Sequence, residues 1–241
     1  MTGSMHGNGS IRLGTWLMLF HGGDILERLS DAGLRFVRLD MEHTPIDDIE
    51  VSQLVARAES LPIDVCVRPA SSRPVDIIRA LNTGARRIYV PQVETAETAE
   101  SVVSVARATS PQPVHVSVML ESREAFRNCD AIAAVAGVDM LAIGPADLAQ
   151  DLGIYGSPDE EEVIDGYRYR LRDAANRHGK LWELGVWSEA GMRRWQGEGC
   201  PVLTVMTDTS AFRARLEPAL AVMATVRNAV DHGTPIRFRA D

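Results

Sequence analysis

Cysteine is scarce: the 241 residues include only Cys66, Cys129 and Cys200, with no C-x-x-C spacing. That argues against a disulfide framework and a thiolate zinc site, and leaves all three as small buried hydrophobes of a reducing compartment. No run of 18 apolar residues occurs, so no transmembrane helix is expected. The opening M-T-G-S-M-H-G-N-G-S carries neither the basic nor the apolar region of a secretion signal. We therefore expect a soluble, cytoplasmic protein. Positive charge is in deficit: 25 Lys and Arg stand against 33 Asp and Glu, interleaved along the chain, for a net charge of −8. This disfavours nucleic acid or an anionic membrane as partner. The nucleotide fingerprint G-x-G-x-x-G and the phosphate loop G-x-x-x-x-G-K-[ST] are missing. So are a serine or cysteine in a nucleophile motif and a histidine pair at i, i+4, and no lysine ends an apolar run, which removes the obvious Schiff-base chemistry.

What is present is a repeat. Apolar, β-branched runs suited to burial on both faces occur at 13–20, 36–40, 64–68, 87–91, 114–120, 140–143, 181–187 and 202–206. Segments of helical period alternate with them at 25–32, 49–60, 74–82, 96–108, 123–136, 160–178, 189–198 and 211–230. Ser122 and Ser188 stand where N-caps belong, and Asn82-Thr83-Gly84 and His178-Gly179 read as helix C-termini. Strict βα alternation without a linker predicts a single-domain (β/α)8 TIM barrel over residues 11–230, with a flexible tail at 1–10 and a second tail at 231–241. Periodicity alone also admits a doubly wound open sheet.

Polar residues fall at the ends of the apolar runs. His43 follows the second, Arg68 ends the third, Glu121 follows the fifth and Asp147 follows the sixth. The steps 43 to 68 and 121 to 147 are 25 and 26 residues, one βα unit each, and 68 to 121 is 53, or two units. All four therefore point to one mouth, at the strand ends where such folds bind ligands. Glu121 and Asp147 offer two hard oxygen ligands, too few to cage Ca²⁺ but suited to Mg²⁺ or Mn²⁺ with open positions for water and a chelating substrate. Each acid could instead cap its following helix. A neutral His43 imidazole could move protons, with Asp40 accepting its other N–H. Arg68, in a run otherwise apolar, needs an anion: a substrate oxygen, or an internal partner in Glu42 or Glu121. Gly144-Pro145-Ala146 opens a helical turn whose N–H groups suit an anion. Trp182, Trp187, Met206 and the Phe20-His21-Gly22 loop are candidate wall positions.

Five blocks recur here in the order and spacing of one family: L-D-M-E-H-T-P at 39–45, V-R-P at 67–69, V-P-Q-V-E-T-A at 90–96, L-E-S-R-E-A at 120–125 and I-G-P-A-D-L at 143–148. The chain resembles the metal-dependent (class II) pyruvate aldolases of the HpcH/HpaI type, over about residues 11–225. The resemblance implies a (β/α)8 barrel, commonly a hexamer of dimers that exchange their C-terminal helix. It implies Mg²⁺ or Mn²⁺ on Glu121 and Asp147, chelated by a 2-oxo acid. His43, oriented by Asp40, would act on the 4-hydroxyl; Arg68 would steady the enolate oxygen, and the backbone after Gly144 would hold the carboxylate. Related acyl-CoA lyases usually carry an acid where His43 stands, so His43 favours the aldolase branch. Oxaloacetate decarboxylation on the same site, and a diverged non-catalytic barrel, are the alternatives. Three departures stand out: Met119 replaces a glutamine expected beside the substrate, Thr109 to Pro113 replaces a long loop, and Trp182-Glu183-Leu184 replaces a small, glycine-containing stretch.

Overall fold

The computed structural model describes residues 11–22 and 24–231. The eight strands are β1 (Arg12–Leu17), β2 (Phe36–Asp40), β3 (Asp64–Arg68), β4 (Arg87–Val90), β5 (His115–Leu120), β6 (Met140–Ile143), β7 (Leu181–Gly185) and β8 (Val202–Thr207). They pair in parallel, in sequence order, and close between β8 and β1. This is the (β/α)8 barrel. Helices α1 (Ile25–Asp31), α2 (Asp48–Ala58), α3 (Pro74–Asn82) and α4 (Ala96–Thr109) follow the first four strands. After β5 come α5 (Arg123–Arg127) and α6 (Cys129–Ala134), after β6 come α7 (Pro145–Leu152) and α8 (Glu160–Arg177), and α9 (Glu189–Gly197) and α10 (Asp208–Asp231) complete the ring. The expected tails lie outside the described residues apart from Asp231, which ends α10.

Strand alternation divides the core in two. Outward residues such as Val37, Leu39, Val67, Val90, Val118, Leu141 and Leu184 pack under the helices. Inward ones, Phe36, Cys66, Tyr89, Met119, Met140, Ala142 and Val202, fill the lumen. Gly14 admits the Phe36 ring there, since a Cβ at 14 would stand 2.1 Å from it. The lumen also holds charge: Arg38 donates to Thr204 Oγ1 and Glu183 Oε2, and Thr204 donates to Glu183 Oε1 at 2.6 Å. The rings of Trp16, Phe36 and Tyr89 lie 5.2, 4.6 and 4.2 Å from the Arg38 guanidinium.

Ser122 and Ser188 do cap α5 and α9, accepting from the N–H groups of Ala125 and Gly191. Four expectations need correction. The first apolar run leaves the sheet at Leu17, because the N–H groups of Met18, Leu19 and Phe20 all donate to Asp208 Oδ2 at 2.9 Å instead of to a strand. The helix expected at 123–136 breaks at Asn128, whose amide donates to Glu94 O and Glu124 Oε1. The helical turn expected to open at Gly144-Pro145-Ala146 is a full helix, α7, with Pro145 in its first turn and Gly153 closing it at φ 73°. Trp182 is not a wall of the mouth: it is 3% exposed and packs on Trp195 under the helices, because Glu183 takes the lumen side of β7. Among the described residues no helix is long and apolar enough to cross a membrane.

Candidate active site

Asp40 and Arg68 are register partners at the C-terminal ends of β2 and β3. Their side chains form a two-pronged ion pair, Nε to Oδ1 at 2.8 Å and Nη2 to Oδ2. Asp40 Oδ1 also accepts from the backbone N–H of Glu42 and His43, at 2.9 and 3.2 Å. Burial works against the Asp40 charge, but Arg68 and those N–H groups outweigh it and hold its pKa below the ordinary value. Arg68 Nη1 reaches Glu42 Oε2 at 3.2 Å, and the guanidinium lies 4.6 Å from the Trp16 ring. Asp40 therefore orients Arg68 and the loop backbone, and the imidazole of His43 is not its partner. That ring stands at the surface, 54% exposed, with Nε2 3.7 Å from Glu42 Oε2.

Glu121 sits one residue past β5, held by the N–H of Gln92, which donates to Oε2 at 2.8 Å. Its other oxygen, Oε1, is buried without a hydrogen-bond partner. Burial drives the Glu121 pKa up to about 7; the Gln92 N–H and Arg68 oppose the rise, and the charges of Asp147 and Glu42 add to it. Glu42 is also raised, by burial first, with Asp40 and Asp147 adding and Arg68 and His43 opposing. Gly144 makes room for this side chain, since a Cβ there would stand 2.3 Å from Glu121 Oε1 and displace it. Asp147 lies exposed in the first turn of α7. In that turn Gly144 N–H is committed to Leu120 O and Pro145 has none, so the groups open to an anion are the N–H of Ala146 and Asp147.

These residues suit a small hard dication. Three carboxylates, Asp40, Glu42 and Glu121, act on one permanent cation, Arg68, Asp147 adds its charge beside Glu42 and Glu121, and Glu121 Oε1 has nothing to bond. Among the described residues no group of three or more His, Cys, Asp or Glu side chains is gathered as for a metal. The available set is two carboxylates with room for water and substrate, the pattern of Mg²⁺ rather than of structural zinc or caged calcium.

The structure brings Asp40, His43, Arg68, Glu121, Gly144, Pro145, Ala146 and Asp147 to one end of the barrel. Met119 lies a rung below Glu121 on the same face of β5, 4% exposed in the lumen. Sequence reasoning offered Glu42 as an internal partner for Arg68, which the 3.2 Å contact bears out, but did not assign Gln92 and Trp16. For Gln92 a signal existed: the 53-residue step from Arg68 to Glu121 leaves one strand end in phase near residue 92. The chain's sole lysine, Lys180, precedes β7 at the opposite end and donates to the carbonyls of Val135 and Val138, far from any Schiff-base role at the mouth.

A parallel barrel whose strand ends converge an arginine and unmatched carboxylates defines a class: barrel enzymes with a charged active site at the C-terminal end of the strands. The chain belongs to the HpcH/HpaI aldolase/citrate lyase family, whose profile matches residues 12–189. A 4-hydroxy-2-oxo-heptane-1,7-dioate aldolase of Salmonella dublin is 29% identical over 91% of this chain and 93% of its own length. A 5-keto-4-deoxy-D-glucarate aldolase of Shigella dysenteriae is 31% identical over 85% and 89%. Among solved structures, the citrate synthase SbnG superposes with a TM-score of 0.81 at 28% identity, covering 92% of this chain and 96% of that one. An HpcH/HpaI aldolase from Desulfitobacterium hafniense gives 0.78 at 26%, covering 89% and 93%. A general aldolase or lyase function follows from this membership.

Proposed function

We propose that the protein is a class II, pyruvate-dependent aldolase that reversibly cleaves a 4-hydroxy-2-oxo acid to pyruvate and an aldehyde. The observation that carries this reading is Glu121 Oε1, a buried carboxylate oxygen without a partner among like charges, seated in the room left by Gly144. Glu121 and Asp147 hold a divalent cation, Mg²⁺ or Mn²⁺. When bound, the ion supplies Lewis-acid stabilisation of charge developing on the 2-oxo acid.

The chain's own residues do the rest. Arg68, locked flat by Asp40 and Trp16, presents fixed positive charge beside the developing enolate oxygen. The free N–H groups of Ala146 and Asp147 hold the substrate carboxylate. His43, exposed and next to Glu42, takes the proton of the 4-hydroxyl as the C3–C4 bond breaks and returns it in synthesis. Asp40 acts through Arg68. Met119 floors the site with an apolar side chain.

A homo-oligomer, a hexamer by resemblance, fits the outer surface. Phe212, Leu216 and Leu220 lie at i, i+4 and i+8 on α10, 54%, 40% and 62% exposed, an apolar stripe that a second copy would cover.

The test is exchange of the pyruvate methyl protons with D2O, followed by proton NMR. Exchange that requires Mg²⁺ or Mn²⁺ and stops with a chelator supports the reading without needing the aldehyde. Absence of exchange with metal bound overturns it.

A further inference from the structure

Among the described residues Gln92 is the only one other than glycine with a left-handed backbone, at φ 55°. A side chain there is strained, and only glycine, asparagine and aspartate enter this region readily. The strained residue lies two positions past β4, at the mouth, with its successor tied back to β5 by Val93 N–H donating to Met119 O at 3.2 Å. The twist has two products. It turns the Gln92 N–H onto Glu121 Oε2 at 2.8 Å, and it sends the side-chain amide onto Glu42 Oε1 at 3.0 Å. Each bond occupies one oxygen of a carboxylate and leaves the other committed to the site. Glu121 keeps Oε1 bare, and Glu42 keeps Oε2 for Arg68 at 3.2 Å and His43 at 3.7 Å.

We propose that Gln92 is a positioning residue for the reaction: a strained two-pronged clamp that sets the distance between the cation-holding carboxylate Glu121 and the Glu42–His43 pair. Strain that buys no packing and joins two like-charged groups is the kind retained at functional sites. This inference rests on the aldolase reading above.

The test compares the wild type with Gln92→Gly, which relieves the backbone and removes the side-chain prong, and Gln92→Asn, which tolerates the left-handed backbone but is one methylene shorter. Melting temperature, Mn²⁺ affinity by EPR titration, and kcat and KM for pyruvate exchange are measured on each. For both variants we expect an unchanged or higher melting temperature, with kcat and Mn²⁺ affinity reduced roughly ten- to a hundredfold, the range for residues that orient a metal site. For pyruvate KM we expect little change. A purely structural Gln92 would instead lower the melting temperature and leave kcat and Mn²⁺ affinity alone. Either that result, or folded variants with wild-type kcat and Mn²⁺ affinity, overturns the clamp while leaving the aldolase reading in place. A wild type that neither binds Mn²⁺ nor exchanges pyruvate overturns both.

Discussion

Two glutamates are buried in this barrel, and they differ in what surrounds them. Glu183, in the lumen, has both oxygens engaged, by Arg38 and Thr204, and the cation it faces is sandwiched among aromatic rings. Glu121, at the mouth, has one oxygen on a backbone N–H, one on nothing, and two further carboxylates, Asp147 and Glu42, opposing its charge. Burial raises the pKa of both. Both oxygens of Glu183 are answered by the barrel itself, which makes it part of the architecture, whereas Glu121 combines a bare oxygen with like-charged neighbours, the setting that favours a cation. At the lower end of the barrel the carboxylates are likewise engaged: Arg12 and Arg87 close on Asp64, and Asp139 accepts from Val116 N–H at 2.8 Å.

Exchanging the charges should separate the two regions. Glu121→Gln should lower pyruvate exchange by at least about a thousandfold, because several kcal/mol of charge stabilisation go with the ligand. Its stability should move the other way. A carboxyl whose pKa rises on folding, here from 4.5 to about 7, costs stability that grows with pH across that window. The metal-free variant should therefore be more stable than wild type at pH 8, by up to about 3 kcal/mol, and should lose the difference by pH 4. Urea titrations with chelator at both pH values measure this. In the lumen, Arg38→Met should destabilise by about 3–5 kcal/mol by stranding Glu183, and the double variant Arg38→Met/Glu183→Leu should recover most of it in the same titration.

The sequence displayed the barrel well because each strand is a short, doubly buried apolar run and each helix has polar ends. It displayed the mouth because strand ends recur in phase. The direction of individual side chains was harder to read. In Leu181-Trp182-Glu183 the bulky aromatic looks like the lumen residue, yet Arg38 on β2 draws Glu183 inward and alternation turns Trp182 out. Asp40 was expected on the His43 ring, but Arg68 is its register partner and takes both oxygens. The left-handed backbone of Gln92 has no signature in a residue type that rarely adopts it.

At the lower end of the barrel a histidine, His115, opens β5. Burial pushes His115 down to about 4, with Arg87 and Arg12 adding and Asp139 opposing. Folded His115 stays neutral while the unfolded chain protonates near 6.5, so stability should fall between pH 6.5 and 4 by up to about 3 kcal/mol on this account. His115→Gln should flatten that slope in urea titrations at several pH values without changing Mn²⁺ affinity at pH 8. The smallest effect belongs to Gly144→Ala: its Cβ displaces Glu121 Oε1, and Mn²⁺ affinity should drop about tenfold, or roughly 1.4 kcal/mol, with the melting temperature nearly constant.

Which buried glutamate takes the ion is measured most directly by Mn²⁺ titration by EPR at pH 8. It compares wild type, Glu121→Gln and Arg38→Met/Glu183→Leu. We predict one Mn²⁺ per chain in the wild type and the lumen double variant, and binding weakened at least tenfold in Glu121→Gln. Equal affinity in Glu121→Gln and wild type would contradict the assignment of Glu121 as the residue that holds the cation.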